Sequence, residues 1–214
     1  MEYIKKPVDI EVRSFEIIEE ELGAKKNKFL PEQLPIVKRV IHTTADFEYA
    51  DLLEFSDDAI ESCINALKNG GKIYCDTQMI ANGLSKPNLT KFGYTAYSLV
   101  SDPEVAKEAK ERGITRSIVG MEKASKDADT NIFLIGNAPT ALFRLKELID
   151  LGEVSKPALI VGVPVGFVGA AESKEILPGS GIPHIVVKGR KGGSTVAVSI
   201  LHGILYQMFT REGF

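Results

Sequence analysis

The chain has 214 residues, 44% of them hydrophobic and 26% charged, with a formal net charge of −3. That is the profile of a globular domain able to bury a core of its own. The mild negative charge offers no overall electrostatic footprint for nucleic acid, so any polyanionic ligand has to be met by a local basic cluster.

No run approaches the roughly 18 apolar residues of a membrane span, and the opening MEYIKKP lacks the apolar stretch of an export signal. The cytoplasm is the expected location, with neither membrane nor nucleic acid as a partner. Pro and Gly are spread through the chain, and no low-complexity tract or repeat interrupts it, so a single domain over 1–214 is expected. Cys63 and Cys75 belong to no C-x-x-C pair and are expected to be free thiols, with no metal site.

In chain order, Phe15, Ile18 and Leu22 recur at helical spacing opposite a run of acids, which predicts an amphipathic helix over Ser14–Leu22. A second helix is expected from about Glu32 to Thr43, with Leu34, Val37 and Ile41 as its stripe and Pro35 confined to its first turn. A third has Ser56 as N-cap, Asp57 and Asp58 in the first turn, a stripe of Ile60, Cys63, Ile64 and Leu67, and Gly70 as terminator. From there short apolar runs alternate with helices. Strands are expected at Lys72–Asp76, Ala96–Val100, Asn131–Ile135, Ala158–Val163 and His184–Lys188. Between them lie helices over Pro103–Arg112 and Pro139–Leu151 and a short segment at Ala170–Ile176, and a long helix over Ser194–Met208 closes the chain.

Such alternation predicts an α/β fold: a mainly parallel sheet of five strands or slightly more, covered by helices on both faces. Ligands of such sheets bind beyond the carboxyl ends of the strands, here Asp76 and Thr77, Asn137, Pro164–Gly166 and Gly189–Lys191. The sheet is Rossmann-like, but no G-x-G-x-x-G follows its first strand, so no dinucleotide site is expected. GRKGGST from Gly189 lacks the lysine that a phosphate loop places directly before its hydroxyl residue, because Gly193 stands there. A nucleotide-dependent enzyme is therefore disfavoured, although glycines and basic residues at a strand-to-helix turn suit an anion.

Five segments together resemble the precorrin-8X methylmutase family, including its cobalt-precorrin-8 branch. They are RSFEII from Arg13, KRVIHTTADFE from Lys38, GNAPTAL from Gly136, GVPVGFVGAAESKE from Gly162 and GRKGGS from Gly189. The resemblance implies an isomerase of cobalamin biosynthesis that moves one methyl group from C-11 to C-12 of precorrin-8, or of its cobalt complex, by a 1,5-sigmatropic shift. It implies no methyl donor or redox cofactor, a homodimer, His42 as the acid that protonates or hydrogen-bonds the macrocycle, and Ser14 and Arg39 as substrate contacts. HTTADFE after Arg39–Ile41 is closer to the cobalt-early branch.

The residues themselves agree in part. His42 ends a helix, where the macrodipole favours a positive charge, so it can serve as an acid near neutral pH. From spacing alone, a histidine answering a terminal carbonyl is the commoner outcome, and the family match reverses that order. His184 and His202 gain nothing from the match and are expected to be structural. A flat apolar disc rimmed by carboxylates needs an apolar slot edged by cations, hydroxyls and backbone N–H groups. Arg116, in Thr115-Arg-Ser, and Arg190, flanked by glycines past a strand end, are further choices for that rim. An exposed helix-face charge is nearly as good a reading of Arg116. The glycines of Gly162–Gly169 allow tight packing of strand against helix and, alternating with Pro164 and Phe167, also make an apolar wall for a planar ring, and the two readings are compatible. A non-catalytic corrinoid carrier would share slot and rim without needing His42, whereas a cobalamin module that ligates cobalt through D-x-H-x-x-G is disfavoured because that signature is absent.

Overall fold

Strands that alternate apolar side chains to both faces can satisfy themselves only between two helical layers. In the computed structural model, which describes residues 5–208, six strands do so. They are β1 (Leu53–Phe55), β2 (Gly71–Cys75), β3 (Tyr94–Tyr97), β4 (Thr130–Ile135), β5 (Leu159–Gly162) and β6 (His184–Val187), in the order β1-β6-β5-β4-β2-β3. All neighbours run parallel except β1, which pairs antiparallel to β6 in the register Leu53↔Val187 and Phe55↔Ile185. The α/β class and the mainly parallel sheet are as the strand-helix alternation predicts, with β1 as the addition.

The helices are α1 (Pro7–Leu22), α2 (Leu34–Thr44), α3 (Tyr49–Leu52), α4 (Ala59–Leu67), α5 (Gln78–Gly83), α6 (Lys86–Lys91), α7 (Pro103–Arg112), α8 (Arg116–Ser125), α9 (Pro139–Asp150), α10 (Ala170–Glu175) and α11 (Ser194–Leu205). Because side chains alternate along a strand, Ile73, Cys75, Ile132, Leu134, Leu159, Val161, Ile185 and Val187 face a core shared with α2, α4, α5 and α11. Their neighbours Tyr74, Phe133, Ile135, Ile160 and Val186 face a second core under α8 and α9. Cys63 and Cys75 are free and buried, as expected. Burial pushes the Cys63 thiol up to about 12, so it is no ready nucleophile.

Several boundaries differ from expectation. The first helix begins two turns earlier, at Pro7. Ser56 does not cap the third helix, which starts at Ala59. Its hydroxyl is drawn instead to the sheet edge, accepting from the His184 N–H at 2.9 Å and donating to Asp58. That helix ends at Leu67, leaving Gly70 in the following turn. The third strand stops at Tyr97, and Leu99 turns into the second core from the loop beyond it. The last helix ends at Leu205 rather than Met208. Short β1, α3, α5 and α6 were below the length at which periodicity is visible, and α8 shows no clean stripe because Gly120 interrupts Val119, Met121 and Ala124. α7 runs over its expected span and is capped at both ends: the Asp102 carboxylate accepts from the N–H groups of Glu104 and Val105, and Gly113 closes the helix in the left-handed region.

Ile36, Val37, Val40 and Ile41 bury one side of α2, and each contributes on the order of 1.5–3 kcal/mol. Lys38, Arg39 and His42 thereby share the opposite side. The buried side is pressed on α11, where a Cβ added at Gly203 would lie 2.8 Å from the Ile36 Cα. Gly203→Ala gains about 1 kcal/mol of helix propensity but overpacks a backbone contact, at about 1–3 kcal/mol. Its urea midpoint should fall below that of the wild type. An equal or higher midpoint would show that α2 and α11 can separate without loss.

Candidate active site

The outward side of α2 meets α1. The Phe15 ring lies 5.2 Å from the His42 ring at 35°, and His42 itself is exposed at the last turn of α2. The Arg39 guanidinium carbon sits 5.1 Å from the Phe15 centroid and 4.6 Å from that of Tyr206, and its Nη2 donates to Glu11 Oε1 at 3.2 Å. Tyr206 in turn stacks on His202 at 5.1 Å, and His202 Nε2 accepts the Ser85 N–H at 3.0 Å. A ring nitrogen that accepts carries no proton, so the His202 proton is on Nδ1 in this arrangement. The Ser14 hydroxyl donates to the Ile10 carbonyl at 2.8 Å, one residue from Phe15.

Arg39 stands between two openings. A cavity of about 510 Å³ has Val8, Val12, Phe15, Leu34 and Tyr206 among its walls, and one of about 230 Å³ is bounded by Thr43, Met79, Ser194, Thr195 and His202. Both include Arg39.

Next to this lies the carboxyl edge of the sheet, where distant segments are tied together. Buried Asp76 accepts N–H groups from Gly136, Asn137 and Ala138 at 3.0, 2.8 and 2.7 Å. Burial raises its pKa even so, against the pull of those three bonds. The Thr77 hydroxyl caps α5 and lies 3.0 Å from that of Ser194. Gly193 N–H donates to the Val163 carbonyl at 2.9 Å, and a Cβ at Gly192, whose φ is +150°, would come within 2.1 Å of the same oxygen. The loop after β6 therefore seals against the loop after β5, and only glycine fits there. Lys191 pairs with Asp46, and with Glu48 at 2.7 Å, which joins this loop to the segment after His42. Those carboxylates drive the Lys191 pKa well up.

The structure thus brings Arg39 and His42 together around Phe15, with Ser14 its neighbour on α1, and links the Arg190 loop to them through Lys191 and Asp46. Arg190 is exposed, with its guanidinium 5.3 Å from the Phe167 ring. Phe167 and Val168 are 82% and 91% exposed, an apolar wall with no cover of its own. Arg116 stands apart, exposed at the start of α8 on the other face of the sheet, where Thr115 and Thr140 hydroxyls approach at 3.2 Å. His184 is buried and bonded through Nδ1 to the Ile182 carbonyl at 2.7 Å, as a structural histidine should be. His202 is a different case, since it lines the smaller cavity.

Sequence reasoning missed Phe15, Tyr206 and Glu11, which hold Arg39, because their roles arise from packing between helices far apart in the chain. It also missed Lys174, which is 2% exposed and donates to the Lys191 carbonyl at 2.8 Å. A buried lysine is rare enough that no pattern announces one.

Fold and site together define a single-domain α/β protein with a Rossmann-like sheet, whose candidate site combines the sheet's carboxyl edge with an outer helix pair. The Precorrin-8X methylmutase family model matches residues 9–207. The cobalt-precorrin-8 methylmutase of Priestia megaterium is 50% identical over 198 residues, covering 92% of this chain and 87% of that protein. The precorrin-8X methylmutase of Pseudomonas aeruginosa is 42% identical over 168 residues, covering 78% and 80%. The crystal structure of the precorrin-8X methyl mutase from Thermus thermophilus superposes with a TM-score of 0.84 at 41% identity, covering 92% and 94%. This chain belongs to the precorrin-8X methylmutase family and is an enzyme, an isomerase.

Desolvation pushes the Lys174 pKa down to about 8 from 10.5, so between those values the unfolded chain holds a proton that the folded chain has released. Stability should accordingly rise with pH through that window, with the burial cost fully present below it. Lys174→Met removes this dependence. The wild type should gain in urea midpoint relative to Lys174→Met from pH 8 to pH 10, and a constant difference would refute the charge-burial account.

Proposed function

We propose that this enzyme moves a methyl group from C-11 to C-12 of precorrin-8, with cobalt already in the ring of the physiological substrate, and yields the cobyrinate-type macrocycle of cobalamin biosynthesis. The observation that supports this is Arg39 lining two cavities of ligand size, with His42 set 5.2 Å from the ring of Phe15, a wall residue of the larger one, within a chain of methylmutase family. The methyl group never leaves the molecule: its bond to C-11 breaks as its bond to C-12 forms, and the ring double bonds shift. No external methyl donor, reductant or oxidant enters the balance. Dialysed protein should convert substrate without S-adenosylmethionine, nicotinamide or flavin, and an absolute requirement for any of them in a spectrophotometric assay would sink this reading.

In this proposal the apolar disc lies against the exposed Phe167 wall and the Phe15 side, while peripheral carboxylates meet Arg39, Arg190, Arg116 and the Ser14 hydroxyl. Charge-assisted bonds to carboxylates are the strong ones available to such a rim. Arg116 reaches only a ligand that extends across the sheet edge, which makes it the outermost of the set. His42 donates a proton or a hydrogen bond to the macrocycle during the shift. Its exposed position and one-sided contact with Phe15 leave the other ring face accessible. Positioned proton donation contributes about 10² to 10⁴ in rate, and holding the ring in its reactive geometry supplies the remainder.

We propose further that the protein acts in the cytoplasm as a homodimer. Ile10 and Ile17 are exposed on the side of α1 away from the cavity that Val8 and Val12 line, and a second copy would cover them. Among the described residues no helix is long and apolar enough to cross a membrane.

A proton donor acts mainly on the transition state, so its removal costs turnover more than ground-state binding. His42→Ala should bind the cobyrinate-type product with near wild-type affinity yet convert substrate at least about a hundredfold more slowly, the lower end of the general-acid range. His42→Asn separates the two roles, since partial retention of rate favours hydrogen bonding and a loss equal to that of Ala favours protonation. Normal single-turnover rates in the Ala variant would remove His42 from the chemistry.

A further inference from the structure

The loop between β6 and α11 carries Arg190 among three glycines, Gly189, Gly192 and Gly193, so the chain there has little stiffness of its own. Its place is set by bonds from the segment after β5. The Gly166 N–H donates to the Arg190 carbonyl at 3.1 Å, the Val163 carbonyl accepts the Gly193 N–H at 2.9 Å, and the Lys174 ammonium donates to the Lys191 carbonyl at 2.8 Å. Two of these are backbone bonds, and the third hangs on a single side chain. Lys174 is only 2% exposed, and α10, which carries it, follows the exposed Phe167 and Val168 in the chain. Among the described residues it pairs with no acid, and burial lowers its pKa to about 8. Packing alone would be served as well by an apolar side chain of the same length, because such a side chain avoids the desolvation of a buried charge. What the ammonium adds is the bond to Lys191.

We propose that Lys174 is a positioning residue, whose buried ammonium fixes the Lys191 carbonyl and so sets where the neighbouring Arg190 meets a carboxylate of the substrate. A charged donor holds a carbonyl more firmly than a neutral one. The same residue is also held outward, since the Lys191 side chain reaches Asp46 and Glu48 on the segment that follows His42. Lys174 and Phe167 both come from the segment after β5, and the Phe167 ring lies 5.3 Å from the Arg190 guanidinium. The lysine thus presents cation and apolar wall to a planar ring as one unit. This role rests on the reading of Arg190 as a substrate contact, and Lys174 acts through Arg190 rather than by touching the ligand.

The test is titration calorimetry of the full-length protein with cobyrinate near neutral pH, on wild type, Lys174→Met, Arg190→Ala and the double variant, with circular dichroism to confirm folding. Arg190→Ala should weaken binding about tenfold, the usual scale of a bond to a charged group, and Lys174→Met at least about threefold. In the Arg190→Ala background, Lys174→Met should have no further effect, because a positioning residue has nothing left to position. Limited trypsin digestion supplies a second readout, since cleavage follows the population of the locally opened loop. Cleavage after Arg190 and Lys191 should be at least about threefold faster in Lys174→Met, with cleavage elsewhere unchanged. If Arg190→Ala weakens binding and Lys174→Met does not, the positioning role is overturned and the Arg190 contact stands. An equal loss from Lys174→Met in both backgrounds, or a loss without faster loop cleavage, also overturns it. Unchanged affinity in Arg190→Ala would remove the contact and the positioning role together. Should Lys174→Met fail to fold, Lys174→Gln, which is uncharged and shorter, decides in the same assays. Failure of both to fold makes Lys174 a requirement of the fold and overturns a role confined to the loop.

Discussion

How closely α11 lies on α2 governs the rest of the site. Gly203 lets the two backbones approach at Ile36, and this contact sets the height at which α2 carries Arg39 and His42. The same helix places Ser194 against Gly136 and Thr77 at its start, and the turn after it brings Tyr206 under Arg39. One helix therefore connects the carboxyl edge of the sheet to the outer helix pair. A shift of an ångström along this contact would change both ends together, and positions of catalytic groups tolerate little of that.

Three cations of the site are met by acids: Lys191 by Asp46 and Glu48, Lys38 by Glu19, Arg39 by Glu11. The more exposed of them, those of Lys191, contribute little to stability, typically about 0.2–1 kcal/mol. Their effect is on placement. Lys191 fixes the loop after β6 to the segment that follows His42, and Lys174 holds the carbonyl of that same residue from beneath. The loop is thus clasped by one lysine reaching out and another reaching in, while its glycines press on the Val163 carbonyl.

Phe167 and Val168 run against the usual rule for apolar residues, because they stand in water at the tip of the loop after β5. The two sides of the sheet are already filled by α2, α4, α5 and α11 on one face and α8 and α9 on the other. Nothing in the fold therefore requires these two side chains to be apolar, which is consistent with the proposed role of this segment as a wall for the substrate. Gly162 serves the tight packing foreseen for this segment, since a Cβ there would lie 3.0 Å from Leu142 and 3.1 Å from Leu177.

The chain by itself determined the layer architecture. Apolar runs such as NIFLI from Asn131 and LIVG from Leu159 bury both faces, and α7, ahead of the first of them, carries its own caps at Asp102 and Gly113. These are local effects of period and capping, and they are legible because each depends on residues a few positions apart. Long family blocks also marked Ser14, Arg39 and His42 without any geometry. What only the tertiary structure decided is who holds whom. Glu11 reaches Arg39 across 28 residues, Ser194 meets Thr77 across 117, and Lys191 meets Asp46 across 145. Likewise Ser56, a sound cap by local rules, gave its hydroxyl to β6 instead. Side chains with free polar groups take the partner that packing brings nearest, and that distance is a property of the folded whole rather than of any window along the chain.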